Sequence, residues 1–239
     1  MRLDQFITDK LKISKNKAQA IIKSGNVKVD GAQVKKTGFE VKSTNIVEFD
    51  ELEQTKYVAR SAMKLKGFLD EYNLKITDFI CLDIGSSTGG FCQILLENDV
   101  KKITAVDVGT SQLHETLRGN NKIIIRENTD IRKLEKLDEK LDLITCDVSF
   151  ISLEMILESI IFHMSENTIS LLLFKPQFEV GKQHIGKKGV VLDEKISDKK
   201  INDFLQICRD NGLQILKVEK SKLEGENGNK EIFVMLKKK

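Results

Sequence analysis

Four charged residues stand where apolar runs would carry them to chemistry. Asp147 closes the run Leu141-Asp142-Leu143-Ile144-Thr145-Cys146. Lys175 closes Leu171-Leu172-Leu173-Phe174 and precedes Pro176, the single proline of the chain. Glu231 opens Ile232-Phe233-Val234-Met235-Leu236, and Lys64 lies in a helical stretch further upstream. Charges at the ends of buried strands are costly to desolvate unless they pair or work. Taken singly, each reads equally well as a solvated strand end, but four that meet on one edge read as a site. The chemistry they suit is activation of a weak hydroxyl nucleophile. A lysine serves as its base where partial burial and a neighbouring cation draw it toward neutrality. Lys175, behind four apolar residues, has such surroundings, and Asp147 and Glu231 are placed to hold the lysines.

A second group binds rather than reacts. Asp83-Ile84-Gly85-Ser86-Ser87-Thr88-Gly89-Gly90 follows the apolar run Phe79-Ile80-Cys81-Leu82 and opens a helical segment at Phe91. A strand, a small-residue turn and a helix N-terminus let backbone approach a nucleotide-like ligand closely. Asp107 ends the next apolar run, 22 residues beyond Gly85, the reach of a carboxylate that grips both ribose hydroxyls of an adenosine cofactor. NAD and S-adenosylmethionine (SAM) both fit this pattern. No Gly-Lys-Ser/Thr triplet follows the loop, which disfavours a nucleoside triphosphate.

The elements that must position these residues follow from periodicity. Apolar runs at 79–82, 103–106, 122–125, 141–146, 168–174, 213–218 and 231–236 alternate with helical patterns. Seven strands interleaved with helices predict a largely parallel α/β sheet, with ligands at the carboxyl ends of its strands. Upstream, Leu3, Phe6, Ile7 and Leu11 share a helical face, and a second helix starts at Ser14 and stops at Gly25. Val27 and Val29 alternate into Asp30-Gly31, a type I′ hairpin signal, with Val34 on the return strand and Ile46–Phe49 a further strand. The expected boundaries are a module over 1–50, a polar linker over 51–60 and a main domain over 61–239.

Charge is unevenly placed. The net charge is +3, yet residues 1–60 hold 12 Lys/Arg against 8 Asp/Glu. Within 10–42, nine lysines face only Asp30 and Glu40. That is the footprint of a partner with a phosphate backbone, with Arg2, Lys10, Lys12, Lys15, Lys17, Lys23 and Arg60 as candidate contacts. Cys81, Cys92, Cys146 and Cys208 show no C-x-x-C spacing, which predicts no metal site and no disulfide framework. With no apolar run of about 18 residues and no apolar leader after Met1, the expectation is a cytoplasmic protein without a membrane partner.

Together these features fit a SAM-dependent 2′-O-methyltransferase of RNA, and two resemblances sharpen that expectation. Arg2-Leu3-Asp4, Ser14-Lys15, Ala18, Ile22, Gly25, Val27, Val29, Gly31 and Val34 resemble the RNA-binding module first known from ribosomal protein S-four. Lys64, Asp147, Lys175 and Glu231 match, in order and context, the Lys-Asp-Lys-Glu tetrad of the FtsJ-like ribose methyltransferases. The stretches 57–65, 82–91, 105–109, 147–153 and 174–181 are similar to the TlyA family, which joins the same two parts. This resemblance implies a small α+β RNA-binding module followed by a Rossmann-like, seven-stranded methyltransferase domain. It also implies 2′-O-methylation of cytidine in ribosomal RNA or ribosomal subunits. By motif, SAM would contact Asp83, Gly85, Ser86, Ser87, Gly89, Asp107, Asp130 and Asp147. The chain resembles the shorter class of the family, which implies large-subunit RNA as substrate, with 16S RNA the other candidate.

Three rivals share parts of this pattern. An amino-group methyltransferase usually has a proline-rich motif after the fourth strand, where this chain has Asp147-Val148-Ser149-Phe150. A cytosine-carbon methyltransferase needs a nucleophilic cysteine, and Cys146 beside Asp147 is the candidate. Members of the TlyA family have also been named haemolysins, which would make the protein membrane-acting.

Overall fold

The computed structural model describes residues 1–11, 13–49, 56–225 and 227–239. Lys12 and half of the expected linker, 51–55, lie outside them. The chain forms two compact units, Met1–Tyr57 and Val58–Lys239, so the division falls inside the expected linker.

The first unit has helices α1 (Leu3–Leu11) and α2 (Lys15–Ser24) and strands β1 (Val27–Val29), β2 (Ala32–Gln33) and β3 (Val47–Phe49). Ser14 caps α2 by accepting from the Lys17 amide, and Gly25 closes it in a left-handed conformation. Asp30 and Gly31 both have positive φ, 49° and 78°. This type I′ geometry matches the twist of the antiparallel β1–β2 pair, Val29 opposite Ala32. Leu3, Ile7, Ala18, Ile21, Ile22, Val27 and Val29 form the core. At its edge the buried Asp4 accepts two bonds from the Arg2 guanidinium and one from the Gln19 amide.

The second unit is a three-layer α/β/α sandwich. Its strands are β4 (Ile80–Ile84), β5 (Lys102–Val106), β6 (Ile123–Arg126), β7 (Leu143–Cys146), β8 (Ile169–Phe174), β9 (Leu213–Lys220) and β10 (Ile232–Lys238). They run in the order β6-β5-β4-β7-β8-β10-β9. β4 to β8 are parallel, and β4, β5, β7 and β8 are buried on both faces, which is why they read as near-continuous apolar runs, while the edge strand β6 is only partly buried. The sheet is mixed, because β10 is antiparallel to both β8 and β9. Among the described residues no helix separates β9 from β10, and the antiparallel pair returns as a hairpin instead of crossing over.

Helices α3 (Ser61–Tyr72) and α4 (Gly90–Glu97) cover one face, where Phe68 and Phe91 meet Phe233. Helices α6 (Glu154–His163) and α8 (Glu194–Asp210) cover the other, and the α8 stripe Ile201, Phe204, Leu205 and Cys208 packs on Phe174 and its neighbours. Short helices α5 (Glu115–Arg118) and α7 (Pro176–Glu179) lie at loop ends. Strand order reverses between β4 and β7, so a crevice opens at their carboxyl ends.

The Arg2–Asp4–Gln19 cluster sets one expectation. Asp4→Ala removes the Arg2 hydrogen bonds at the start of α1 and the Gln19 bond that ties α1 to α2, and should cost the first unit about 2 kcal/mol. Hydrogen exchange of residues 3–24 in the full chain will read this as faster exchange there, with β4 to β8 unaffected.

Candidate active site

The loop after β4 is tied to the neighbouring strand from its first residue. The Gly85 and Ser86 amides donate to the Val106 carbonyl oxygen at 2.8 and 3.1 Å. Gly85 has φ +77°, and a Cβ there would lie 2.9 Å from the Asp147 carbonyl oxygen, so β4 and β7 leave room only for glycine. The Asp107 carboxylate accepts from the Ser87 amide at 2.8 Å and the Gly109 amide at 2.7 Å, which fixes it at the end of β5.

Three adjoining cavities follow this edge, and Ser87, Asp147 and Ser149 border all of them. The first, about 510 Å³, has Asp107 and Asp130 among apolar walls that include Val108, Ile131 and Ile151. The second, about 120 Å³, is bordered by Gly85, Ser86, Ser87 and Lys175. The third, about 740 Å³, is bordered by Arg60, Lys64, Asp147, Lys175 and Glu231. The donor set of the first two fits SAM: a carboxylate for ribose hydroxyls, apolar walls for a base, and a small polar end for an amino acid.

The reactive candidates form two ion pairs on the third cavity. Lys175 Nζ lies 2.8 Å from Asp147 Oδ1 and donates to Ser149 Oγ at 3.0 Å. Lys64 Nζ lies 2.5 Å from Glu231 Oε2. Lys64, Lys175 and Glu231 are 8%, 9% and 2% exposed. Ile232 pairs with Phe174 across the sheet, so the antiparallel turn of β10 brings Glu231 to the edge that carries Lys175. Gln177, at the start of α7, donates from Nε2 to Glu231 Oε1 at 3.3 Å, and its own Oε1 is buried without a partner among the described residues.

The loop 147–153 is held from below. Glu179 accepts from Ser152 Oγ at 2.5 Å and from the Leu153 amide at 2.9 Å, and burial pushes its carboxyl up from the usual range. At the loop's crest Phe150 is 92% exposed with φ +65°, a strained conformation for a bulky residue, and its ring lies 5.1 Å from Phe178.

Other sequence candidates fall elsewhere. Asp83 is fully buried and faces α4, where it accepts from Thr145 Oγ1 at 2.7 Å and Cys92 Sγ at 3.1 Å. Alternation along β4 turns it away from the crevice, and it borders none of the three cavities. Gly89 begins α4 behind the loop. Asp130 borders the first cavity and caps the short turn Ile131–Lys133, and its bond to the Arg132 guanidinium lowers its carboxyl to about 2. Arg60 borders the third cavity and belongs to the second unit, not the first. In the first unit Lys15 and Lys23 are exposed, Lys10 lies over the Phe6 and Phe49 rings, Lys17 donates to the Tyr57 carbonyl oxygen, and Arg2 is paired with Asp4. Ser149, Phe150, Gln177 and Glu179 went unassigned in the sequence reading. Their signal was adjacency to Asp147 and Lys175, which places a residue near a site without giving it a task. Cys146 is fully buried and burial pushes its thiol up, an environment for packing and not for a nucleophile.

The fold and this edge define a methyltransferase, and comparison with known proteins agrees. The profile of FtsJ-like methyltransferases matches residues 57–238, and that of the S4 domain matches residues 1–47. The chain is 46% identical to the 23S rRNA (cytidine-2′-O)-methyltransferase TlyA of Campylobacter jejuni, over 98% of each chain. It is 33% identical to the 16S/23S rRNA (cytidine-2′-O)-methyltransferase TlyA of Mycobacterium tuberculosis, over 94% of this chain and 84% of that one. A solved structure named as a hemolysin, from Streptococcus thermophilus, superposes with a TM-score of 0.76 at 30% identity, covering 100% of this chain and 88% of that one. The chain belongs to the FtsJ-like methyltransferase family and, within it, to the TlyA group. Among the described residues no helix is long and apolar enough to cross a membrane.

Asp83 supplies a pH test. Burial raises its carboxyl to about 6, above the unfolded value of about 3.9. Its folded pKa is the higher, so its contribution is complete at acid pH and is lost as pH rises from about 4 through about 6. The second unit should lose on the order of 2–3 kcal/mol over that window, and Asp83→Asn should lack this loss. Urea unfolding of both proteins between pH 4 and pH 7 measures the difference.

Proposed function

We propose that the protein is a SAM-dependent enzyme that methylates the 2′-hydroxyl of cytidine in ribosomal RNA, with large-subunit RNA as its principal substrate. The observation that carries this reading is the meeting of two lysine–carboxylate pairs on a cavity that shares Ser87, Asp147 and Ser149 with the loop cavities. The 46% identity to a protein named for 23S RNA supports the substrate. The S4 match over 1–47, with exposed Lys15 and Lys23, supports RNA capture by the first unit. A ribosomal substrate places the protein in the cytoplasm.

SAM, when bound, supplies an activated methyl group. Asp107 would hold the ribose hydroxyls of the cofactor, the loop amides around Ser87 its amino-acid end, and Val108, Ile131 and Ile151 the base. Asp147 and Ser149 orient Lys175 Nζ toward the place where cofactor and RNA cavities meet. Lys175, once its own proton has passed to solvent, would take the 2′-hydroxyl proton and so make that oxygen the nucleophile. Glu231, steadied by Gln177, holds Lys64 as the second cation against the developing charge. The exposed Phe150 ring, with Phe178 beside it, offers a stacking surface for a nucleotide turned out of its helix.

Two outcomes check the assignment. Asp107→Ala should weaken SAM binding by about 1.5–3 kcal/mol, the loss of a charge-assisted hydrogen bond, as read by calorimetry. NADH binding in place of SAM would overturn the cofactor. Lys175→Ala should lower methyl transfer to ribosomal subunits by about 10²–10⁴-fold, the usual contribution of a general base, while SAM affinity stays near normal. Near-normal turnover of that variant would move the base to Lys64.

A further inference from the structure

The segment that follows α7 has no role in the scheme above, although it borders the same cavity. Ile185 and Val191 form an antiparallel bridge, and the Gly186 amide donates to the Val190 carbonyl oxygen at 2.8 Å. The Gly189 amide donates back to Gly186 at 2.8 Å, closing a tight turn whose outer residues are Lys187 and Lys188. Gly189 has φ +76°, a left-handed conformation that any side chain there would strain. The base of this small hairpin is anchored by Asn229, which is 4% exposed. Its Oδ1 accepts from the Val191 amide at 3.1 Å, and its Nδ2 donates to the Gly189 carbonyl oxygen at 2.9 Å. Asn229 stands two residues before Glu231, so the hairpin is fixed relative to the reacting groups. Ile185 and Gly189 border the third cavity together with Lys64 and Lys175.

Charge is the second observation. Lys182, Lys187 and Lys188 are exposed, and none has an ion pair among the described residues. The nearby acids are Glu224 on the cavity, Asp193, which caps α8, and Glu194, which is paired with Lys230. Two adjacent cations on a rigid turn, beside a cavity with exposed aromatic Phe150, reproduce the two parts of single-strand binding sites: a cationic track and a stacking ring.

We infer that the Gly186–Gly189 turn is a phosphate clamp, in which Lys187 and Lys188 hold the RNA backbone flanking the nucleotide that enters the cavity. The inference rests on the RNA reading above. Phosphate contacts position without specifying sequence, so the clamp sets the depth at which the ribose sits, and sequence is read elsewhere.

The test compares the parent chain with K187A/K188A and K187R/K188R. Methyl transfer is measured on large ribosomal subunits from cells lacking this gene, and binding of a single-stranded RNA oligonucleotide is followed by fluorescence anisotropy across a salt series. The alanine pair should raise KM about tenfold and lower the slope of log affinity against log salt by about 1.4, since each single-strand phosphate contact contributes about 0.7. SAM binding by calorimetry should not change, and the arginine pair should keep the parent KM and slope. An active parent with an alanine variant of unchanged KM and slope overturns the clamp alone. A KM effect on subunits without any effect on the oligonucleotide assigns the lysines to an acidic protein surface and also overturns it. A parent that methylates no subunit sinks the RNA reading and the clamp together.

Discussion

The register between β8 and β10 governs the carboxyl edge of the sheet. Ile232 lies opposite Phe174, so the residue before one and the residue after the other, Glu231 and Lys175, leave the sheet at the same level. Shifting β10 by one residue would turn Glu231 to the opposite face. Lys64 would then lose its buried counter-charge, and Gln177 its acceptor. The register is itself held by packing: Phe233 meets Phe68 and Phe91 on one face, while Val234 and Leu236 join the core under α6 and α8 on the other. Ordinary hydrophobic alternation thus determines where a reacting charge sits.

Ion pairs this well shielded are poor devices for stability, because desolvation offsets most of their attraction. Their value here is geometric. Each lysine is bound to one carboxylate, and Glu231 also accepts from Gln177. A lysine held in this way presents its nitrogen to the cavity without searching rotamers, which is what preorganisation for a charged transition state requires.

Strand ends were legible because buried strands read as apolar runs, and a charge closing such a run is conspicuous. The loop after β4 and Asp107 were legible for the same reason. Less could be read where alternation or pairing decides the outcome. Asp83 sits in the most informative motif, yet Leu82 and Ile84 join the main core while Asp83 faces Thr145 and Cys92 beneath α4. The antiparallel course of β10 was not visible, since a run of apolar residues has no direction. Nor does residue type alone tell which cations of the first unit are engaged within it. Arg2 is bound to Asp4 and Lys17 to a backbone carbonyl, which leaves exposed residues such as Lys15 and Lys23 to meet a phosphate backbone.

In the proposed reaction, the loop from Asp147 to Leu153 would serve two ligands at once. Its first residue orients Lys175, its third accepts from the same lysine, and its fourth exposes an aromatic ring under backbone strain. Strain of this kind, on the order of 1–3 kcal/mol, persists only where surrounding contacts impose it. Glu179 supplies those contacts through Ser152 and the Leu153 amide. Asp147 and Ser149 also border the two cavities proposed for the cofactor, so a ligand on either side would meet the same wall. In the proposed reaction, a wall shared by two reactants would fix their separation and angle, and holding reactants in near-attack geometry removes part of the barrier before any charge develops.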